Sequence, residues 1–132
     1  MQERMSATQY RETSKKAGQQ PKYRNTRIAV DGVMFDSKAE AQRYQELKLL
    51  VAAKKIFNLE LQPKFELVPK TKKRRAVTYT ADFMYKELQV DDICMVVEDV
   101  KSPVTAKNQA YIIKRNLFEY RNPDIEFREI VR

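Results

Sequence analysis

The apolar positions of this 132-residue chain fall into segments of different period, and each period predicts an element. In TRIAVDGVMF two short apolar runs flank Asp31-Gly32, a pair suited to the positive φ angles of a two-residue hairpin turn. From Ser37, SKAEAQRYQELKLLVAAKK reads as a helix, with Ser37 and Glu40 in the spacing of a capping box. At 100° per residue Tyr44, Leu47 and Val51 lie within about 40° of Glu40, so this carboxylate heads the stripe expected to face the sheet. The period then drops to two. FNLELQPKFELVP is one bent strand or two short ones, with Pro63 requiring an edge, a bulge or a break. AVTYTADFMY is a second strand and ICMVVEDVK a third, joined by KELQVDD as an antiparallel link. Beyond Pro103 a helical stripe of Ala110, Ile113, Leu117 and Tyr120 runs to Asn122-Pro123, and IEFREIV is a last strand. Helix, three strands, helix and strand, preceded by a small β-hairpin, predict an α+β or mixed-sheet α/β domain over residues 23–132. Residues 1–22 hold few large apolar side chains and are expected to form a disordered basic arm.

Composition narrows the chemistry. There is no histidine, which removes the usual neutral-pH base and the commonest transition-metal ligand together. Catalysis would rest on carboxylates, lysines or tyrosines, and a metal would be held by oxygen, favouring Mg²⁺ or Mn²⁺. Cys94 is the single cysteine, so no intramolecular disulfide can form, and a cytoplasmic setting without a membrane span is expected. Lys and Arg number 26 against 18 acids, a net charge of +8 that favours a polyanionic partner. Residues 1–27 contribute seven basic residues against two acids.

The run VVEDVKS, residues 96–102, sets three charges among valines. Strand alternation puts Val97, Asp99 and Lys101 on one face and Val96, Glu98 and Val100 on the other. Burying such charges is expensive unless they are paired. If the second and third strands form a hairpin, Asp82 converges with Asp99 across the ladder, and Glu40 joins from the covering helix. Acids gathered beside a lysine make an oxygen-ligand site for a divalent cation, which can activate water and stabilise charge on a phosphodiester. Glu98, on the opposite face, is left outside this set and is expected to pair with a basic residue of the covering helix.

The order of elements and motifs resembles the PD-(D/E)XK nuclease superfamily. Asp82 matches the acid on the second strand, Asp99-Val100-Lys101 the D/E-x-K pair on the third, and Glu40 the acid on the first helix. The phrases FDSKAEAQRYQELK, LELQPKFELVP, TYTADFMY, VVEDVKS and FEYRNPDIEFREI are similar to a small phage and prophage branch formerly catalogued as a domain of unknown function. Ala81 stands where the superfamily name implies proline, and the spacing of Gln109 and Tyr111 does not match the Q-x-x-x-Y signature of some relatives. The resemblance implies a restriction-endonuclease-like core and a Mg²⁺-dependent DNA endonuclease of phage replication or recombination. It implies Asp82, Asp99 and Glu40 as metal ligands, and Lys101 as the residue that orients water and stabilises phosphate charge.

For DNA contact the densest candidates are Lys70, Lys72, Lys73, Arg74 and Arg75, in the loop KTKKRR. Lys107, Lys114 and Arg115 read either as solvated helix positions or as phosphate contacts. The alternative function is a non-catalytic DNA-binding protein with a nuclease-like fold, a recombination accessory or anti-defence factor. An RNA-binding module lacks any readable signature here. The preferred DNA structure, and whether the protein is a homodimer, stay open at this level.

Overall fold

The computed structural model describes residues 27–132, so the basic arm of residues 1–22 lies outside the described residues. The described residues divide into two units, one up to Lys38 and one from Ala39 to Arg132. In the described part of the first, β1 (Ile28–Val30) pairs antiparallel with β2 (Val33–Phe35). The turn between them holds Asp31 at φ 53° and Gly32 at φ 78°, the positive pair that the sequence demanded.

Helix α1 (Lys38–Ala52) carries Glu40 in its first turn and buries Ala41 and Leu47. Val51, expected on the inner stripe, is partly exposed, and the inner face includes Arg43 instead. The helix ends in a Schellman closure without glycine: Lys54 adopts φ 60°, its N–H donates to Val51 O, and Lys55 N–H donates to Leu50 O.

Next come β3 (Ile56–Leu61), β4 (Lys64–Val68), β5 (Val77–Thr80), β6 (Phe83–Leu88) and β7 (Ile93–Lys101). A 3₁₀ turn (Thr105–Lys107), helix α2 (Gln109–Arg121) and β8 (Glu126–Val131) complete the chain. Four strands form a mixed sheet in the order β3-β6-β7-β8, antiparallel except for the parallel pair β7/β8. The charged strand β7 is therefore central, as its valines argued. The β4/β5 ladder continues from the β3/β6 ladder around a bend. At the bend Gln62 has φ 52°, Gln62 N–H donates to Asp82 O (2.8 Å) and Ala81 N–H donates to Pro63 O (3.0 Å). The expected second strand is thus two strands, broken at Ala81-Asp82, and Pro63 sits at the matching break in its partner.

Each face of the sheet meets one helix. Tyr111 and Phe118 of α2 pack with Leu67, Tyr79, Ala81 and Val97, and Phe65, Met84 and Phe127 close around them. Phe118 meets the edge of Phe65 at 4.6 Å between ring centroids. The apolar stripe of α2 is therefore rotated from the expected one: Ile113 and Tyr120 are 61% and 83% exposed, while Tyr111 and Phe118 point inward. Asn108 separates the 3₁₀ turn from α2, its side chain accepting from Tyr111 N–H, and so breaks the single helix expected after Pro103. On the opposite face Arg43 of α1 reaches Glu98. Among the described residues no helix is long and apolar enough to cross a membrane.

Candidate active site

The bend and the central strand together build the site. The β6/β7 ladder pairs Phe83 with Glu98 and Met84 with Val97, a register that brings Asp82 opposite Asp99 one step further on. Asp82 N–H donates to Glu98 O (3.1 Å). The chain then veers away at Ala81, leaving Val100 N–H without a backbone partner from that strand. Asp82 Oδ2 takes its place, accepting from Val100 N–H at 2.7 Å. One carboxylate is thus fixed to the strand that carries the other.

Asp99 is 1% exposed. Its Oδ2 accepts from the Tyr79 hydroxyl. Its Oδ1 lies 2.8 Å from Lys101 Nζ, an ion pair whose geometry does not make a hydrogen bond, and the Asp82 carboxyl is its acidic neighbour. Lys101 Nζ also stands 4.6 Å above the Tyr111 ring, in cation–π contact. The Tyr111 hydroxyl donates to Glu129 Oε1 (2.6 Å), which also accepts from Arg115 Nη1 (3.0 Å). Glu129 is the β8 residue registered beside Asp99. Asp99 and Lys101 accordingly lie between tyrosines from β5 and α2.

Electrostatics report the crowding. Burial, then the charges of Asp99 and Glu40, push the Asp82 carboxyl up to about 8, against the opposing effect of the Val100 N–H bond. Burial and the Asp99 charge raise the Tyr79 hydroxyl far above its usual range, so it stays a donor. Burial and the hydrogen bond to Glu129 raise Tyr111 as well. Glu40 is half-buried at the start of α1 and is felt at Asp82. It arrives from a different direction than expected, because α1 lies on the Glu98 face while α2 covers the Asp99 face.

The opposite face answers the question of Glu98. It is fully buried and held by a bidentate Arg43, Nε to Oε1 at 2.7 Å and Nη2 to Oε2 at 2.6 Å, with the Tyr85 hydroxyl as a further donor. Arg43 also donates to Glu46 (2.9 Å), which is gripped by Arg132 at 2.7 and 2.8 Å. Glu98 is a structural ion pair, outside the Asp82–Asp99 pair.

A divalent cation fits the donors as an open site. Asp82 and Asp99 supply oxygen atoms whose repulsion is otherwise relieved by a proton, and Asp99 Oδ1 is a buried acceptor lacking a hydrogen bond. Among the described residues no three acidic or thiol side chains already enclose a metal-sized space. Mg²⁺ commonly uses one or two carboxylates and completes its shell with water and phosphate, so an open pair suffices.

The basic candidates separate into three groups. Lys70, Lys72, Lys73, Arg74 and Arg75 are all exposed in the β4–β5 loop, and Lys107 is exposed in the 3₁₀ turn. Lys114 is half-buried on α2. Arg115 is committed to Glu129 and does not stand free for phosphate.

With this geometry in place, the chain matches over residues 20–132 the family model described as "Protein of unknown function (DUF1064)". It belongs to the DUF1064 family. No curated protein and no solved structure matches it. The DUF1064 match spans every element from β1 to β8, so the Asp82, Asp99 and Lys101 arrangement lies inside the family domain.

The sequence singles out Asp82, Asp99, Lys101 and Glu40, of which the fold brings Asp82, Asp99 and Lys101 together, with Glu40 near enough to act on Asp82 electrostatically; it does not single out Tyr79, Tyr111 and Glu129, which surround them. Tyr79 was hidden because strict alternation puts Thr78, Thr80, Asp82 and Met84 on one side. The bend breaks that alternation and turns Tyr79 and Ala81 to the same cluster as Met84. Tyr111 carried a signal that was not used: an aromatic residue three places after Asn108, a good helix cap.

Proposed function

We propose that this chain is a metal-dependent deoxyribonuclease of the PD-(D/E)XK type, with Asp82 and Asp99 as the principal cation ligands, Glu40 as a contributor beyond them, and Lys101 beside the scissile phosphate. The observation that carries the reading is the pairing of two carboxylates with a lysine at a central strand, where one carboxyl is pushed up to about 8 by burial and by the neighbouring acid charges. Mg²⁺ or Mn²⁺ bound there would supply Lewis acidity to the phosphoryl oxygen and acidify a water. The chain's own residues do the remaining work. The Val100 N–H bond and the Tyr79 hydroxyl fix the two carboxylates in orientation. The Tyr111 ring and Asp99 hold Lys101 Nζ in place, so its N–H groups meet negative charge developing on a phosphate oxygen without a large reorganisation. The net charge of +8 supports a polyanionic substrate.

The resemblance to the phage and prophage branch supports action on DNA in replication or recombination, in the cytoplasm of a bacterial host. The second reading is a DNA-binding protein without cleavage, favoured by the lack of a preformed three-acid cage among the described residues. Incubation of the full chain with labelled linear, nicked, flapped and branched DNA, with Mg²⁺, Mn²⁺ or EDTA, separates them. Cation-dependent cutting that is lost in Asp99→Asn establishes the nuclease; binding without cutting under every condition leaves the second reading.

A further inference from the structure

The five basic residues from Lys70 to Arg75 are presented by a loop that hydrogen-bonds to itself. The loop closes on itself: Thr71 Oγ1 accepts from Lys73 N–H (3.2 Å) and Arg74 N–H (3.0 Å), and Thr71 N–H donates to Arg74 O (2.9 Å). Arg74 Nη1 donates to Lys73 O (3.0 Å), its side chain folded over its own loop. Among the described residues none of the five basic side chains joins an ion pair, although the chain carries 18 acids. The N–H groups of Thr71, Lys73 and Arg74 are thus satisfied within the loop, and its five basic residues stay exposed.

Below the loop, the β4/β5 ladder pairs Lys64 with Thr80, Phe65 with Tyr79 and Glu66 with Thr78. Leu67 and Tyr79 are buried beneath α2, and Phe65 meets Phe118. Strand β5 then leads directly through the bend to Asp82. From Arg75 to Asp82 is seven residues, which at about 3.3 Å per residue in extended chain gives a span of roughly 20 Å. Along that span β5 is paired to β4, and Tyr79 and Ala81 are anchored in the core.

We infer that the β4–β5 hairpin is a fixed second phosphate contact for double-stranded DNA, set about 6 base pairs from the bond cut at Asp82 and Asp99, since B-form DNA rises about 3.4 Å per pair. This rests on the nuclease reading for the position of the cut. A duplex spans two fixed points without being ordered first, because its persistence length is about 150 base pairs. A single strand must lose conformational freedom to do the same. Two contacts a fixed distance apart therefore select duplex above a short length, and substrates too short to reach the loop are held only by Lys101 and a cation at the acid site.

The test uses the full chain and a variant carrying Lys72→Ala, Lys73→Ala and Arg74→Ala. Binding is followed by fluorescence anisotropy in Ca²⁺, a cation that takes oxygen ligands and so fills the acid site, against a duplex of about 20 base pairs, a stem–loop of about 5 base pairs and a single strand of about 20 nucleotides. On the long duplex the variant is expected to bind roughly tenfold or more weakly, with a slope of log K against log salt shallower by up to about 2.7. On the stem–loop the two proteins should agree. Equal affinity and slope on the long duplex overturns the second contact, as does an equal loss on the stem–loop or on the single strand. A cleavage arm with Mg²⁺ or Mn²⁺ keeps the two ideas apart. Wild-type cutting with unchanged binding by the variant removes the hairpin contact alone, whereas loop-dependent duplex binding without cutting removes the nuclease reading and leaves the contact in place.

Discussion

Replacing Asp82 by Asn should stabilise the cation-free protein, and by an amount that grows with pH. In the folded chain the Asp82 carboxyl is pushed up to about 8 by burial and by Asp99 and Glu40, whereas an unfolded aspartate titrates near 3.9. Between these values the unfolded chain has released a proton that the folded chain still holds, so stability falls as pH rises from about 4 to about 8. Below that window both states are protonated and the penalty vanishes; above it both are ionised and the penalty is complete. Each unit is worth about 1.4 kcal/mol, so the full window is about 6 kcal/mol, and solvent reaching a half-buried group reduces this to the order of 2–4 kcal/mol. Asn keeps an oxygen for Val100 N–H but cannot ionise. Urea unfolding in EDTA should therefore show Asp82→Asn more stable than wild type at pH 8, by about 2 kcal/mol more than at pH 5. Adding Mg²⁺ should stabilise wild type more than the variant, because a bound cation relieves the same repulsion. An equal difference at both pH values, or equal stabilisation of both proteins by Mg²⁺, would refute the account of this carboxylate.

Other expectations follow from the same contacts. At low Mg²⁺ the cleavage rate should rise with pH towards about 8, and higher Mg²⁺ should move the profile to lower pH, since cation and proton compete for Asp82; a profile indifferent to Mg²⁺ contradicts this. Arg43→Ala leaves the buried Glu98 carboxylate without its bidentate partner and should cost about 3 kcal/mol in urea unfolding, whereas Lys38→Ala, a surface change, should stay within about 0.5 kcal/mol. Tyr111→Phe keeps the ring beneath Lys101 Nζ and loses the hydroxyl's contacts with Glu129 and Arg115, while Tyr111→Leu loses the ring as well; cleavage should fall further in Leu than in Phe at matched folded fraction, and equal loss would show that the ring does not position Lys101.

Much of this fold can be derived from local pattern because its signals are strong. Asp31-Gly32 supplies the positive φ pair, the valines of β7 demand a central strand, and Asn122-Pro123 ends α2. The convergence of Asp82 and Asp99 follows once two strands are taken as a hairpin, and the register bears it out. What alternation could not supply was the bend. Ala81 and Asp82 look like ordinary strand positions, and the break there depends on Gln62 and Pro63 in a strand some twenty residues away. The partner of Asp99, Tyr79, depends on that bend. The rotation of α2 is likewise tertiary: Tyr111 and Phe118 win the inner face because the cluster beneath them accepts aromatic rings, and Ile113 and Tyr120 are left outside.

The central claim, that Asp82, Asp99 and Lys101 form a cation-dependent phosphodiesterase site, is tested most directly by incubating the wild-type chain, Asp99→Asn and Lys101→Ala with labelled DNA in Mg²⁺, in Mn²⁺ and in EDTA, after circular dichroism has confirmed that all three are folded. The account predicts cutting by wild type only when the cation is present, and at least a hundredfold loss, on the order expected when a group stabilising the transition state is removed, in both variants. Cutting that survives EDTA, or variants that cut as well as wild type, would contradict it.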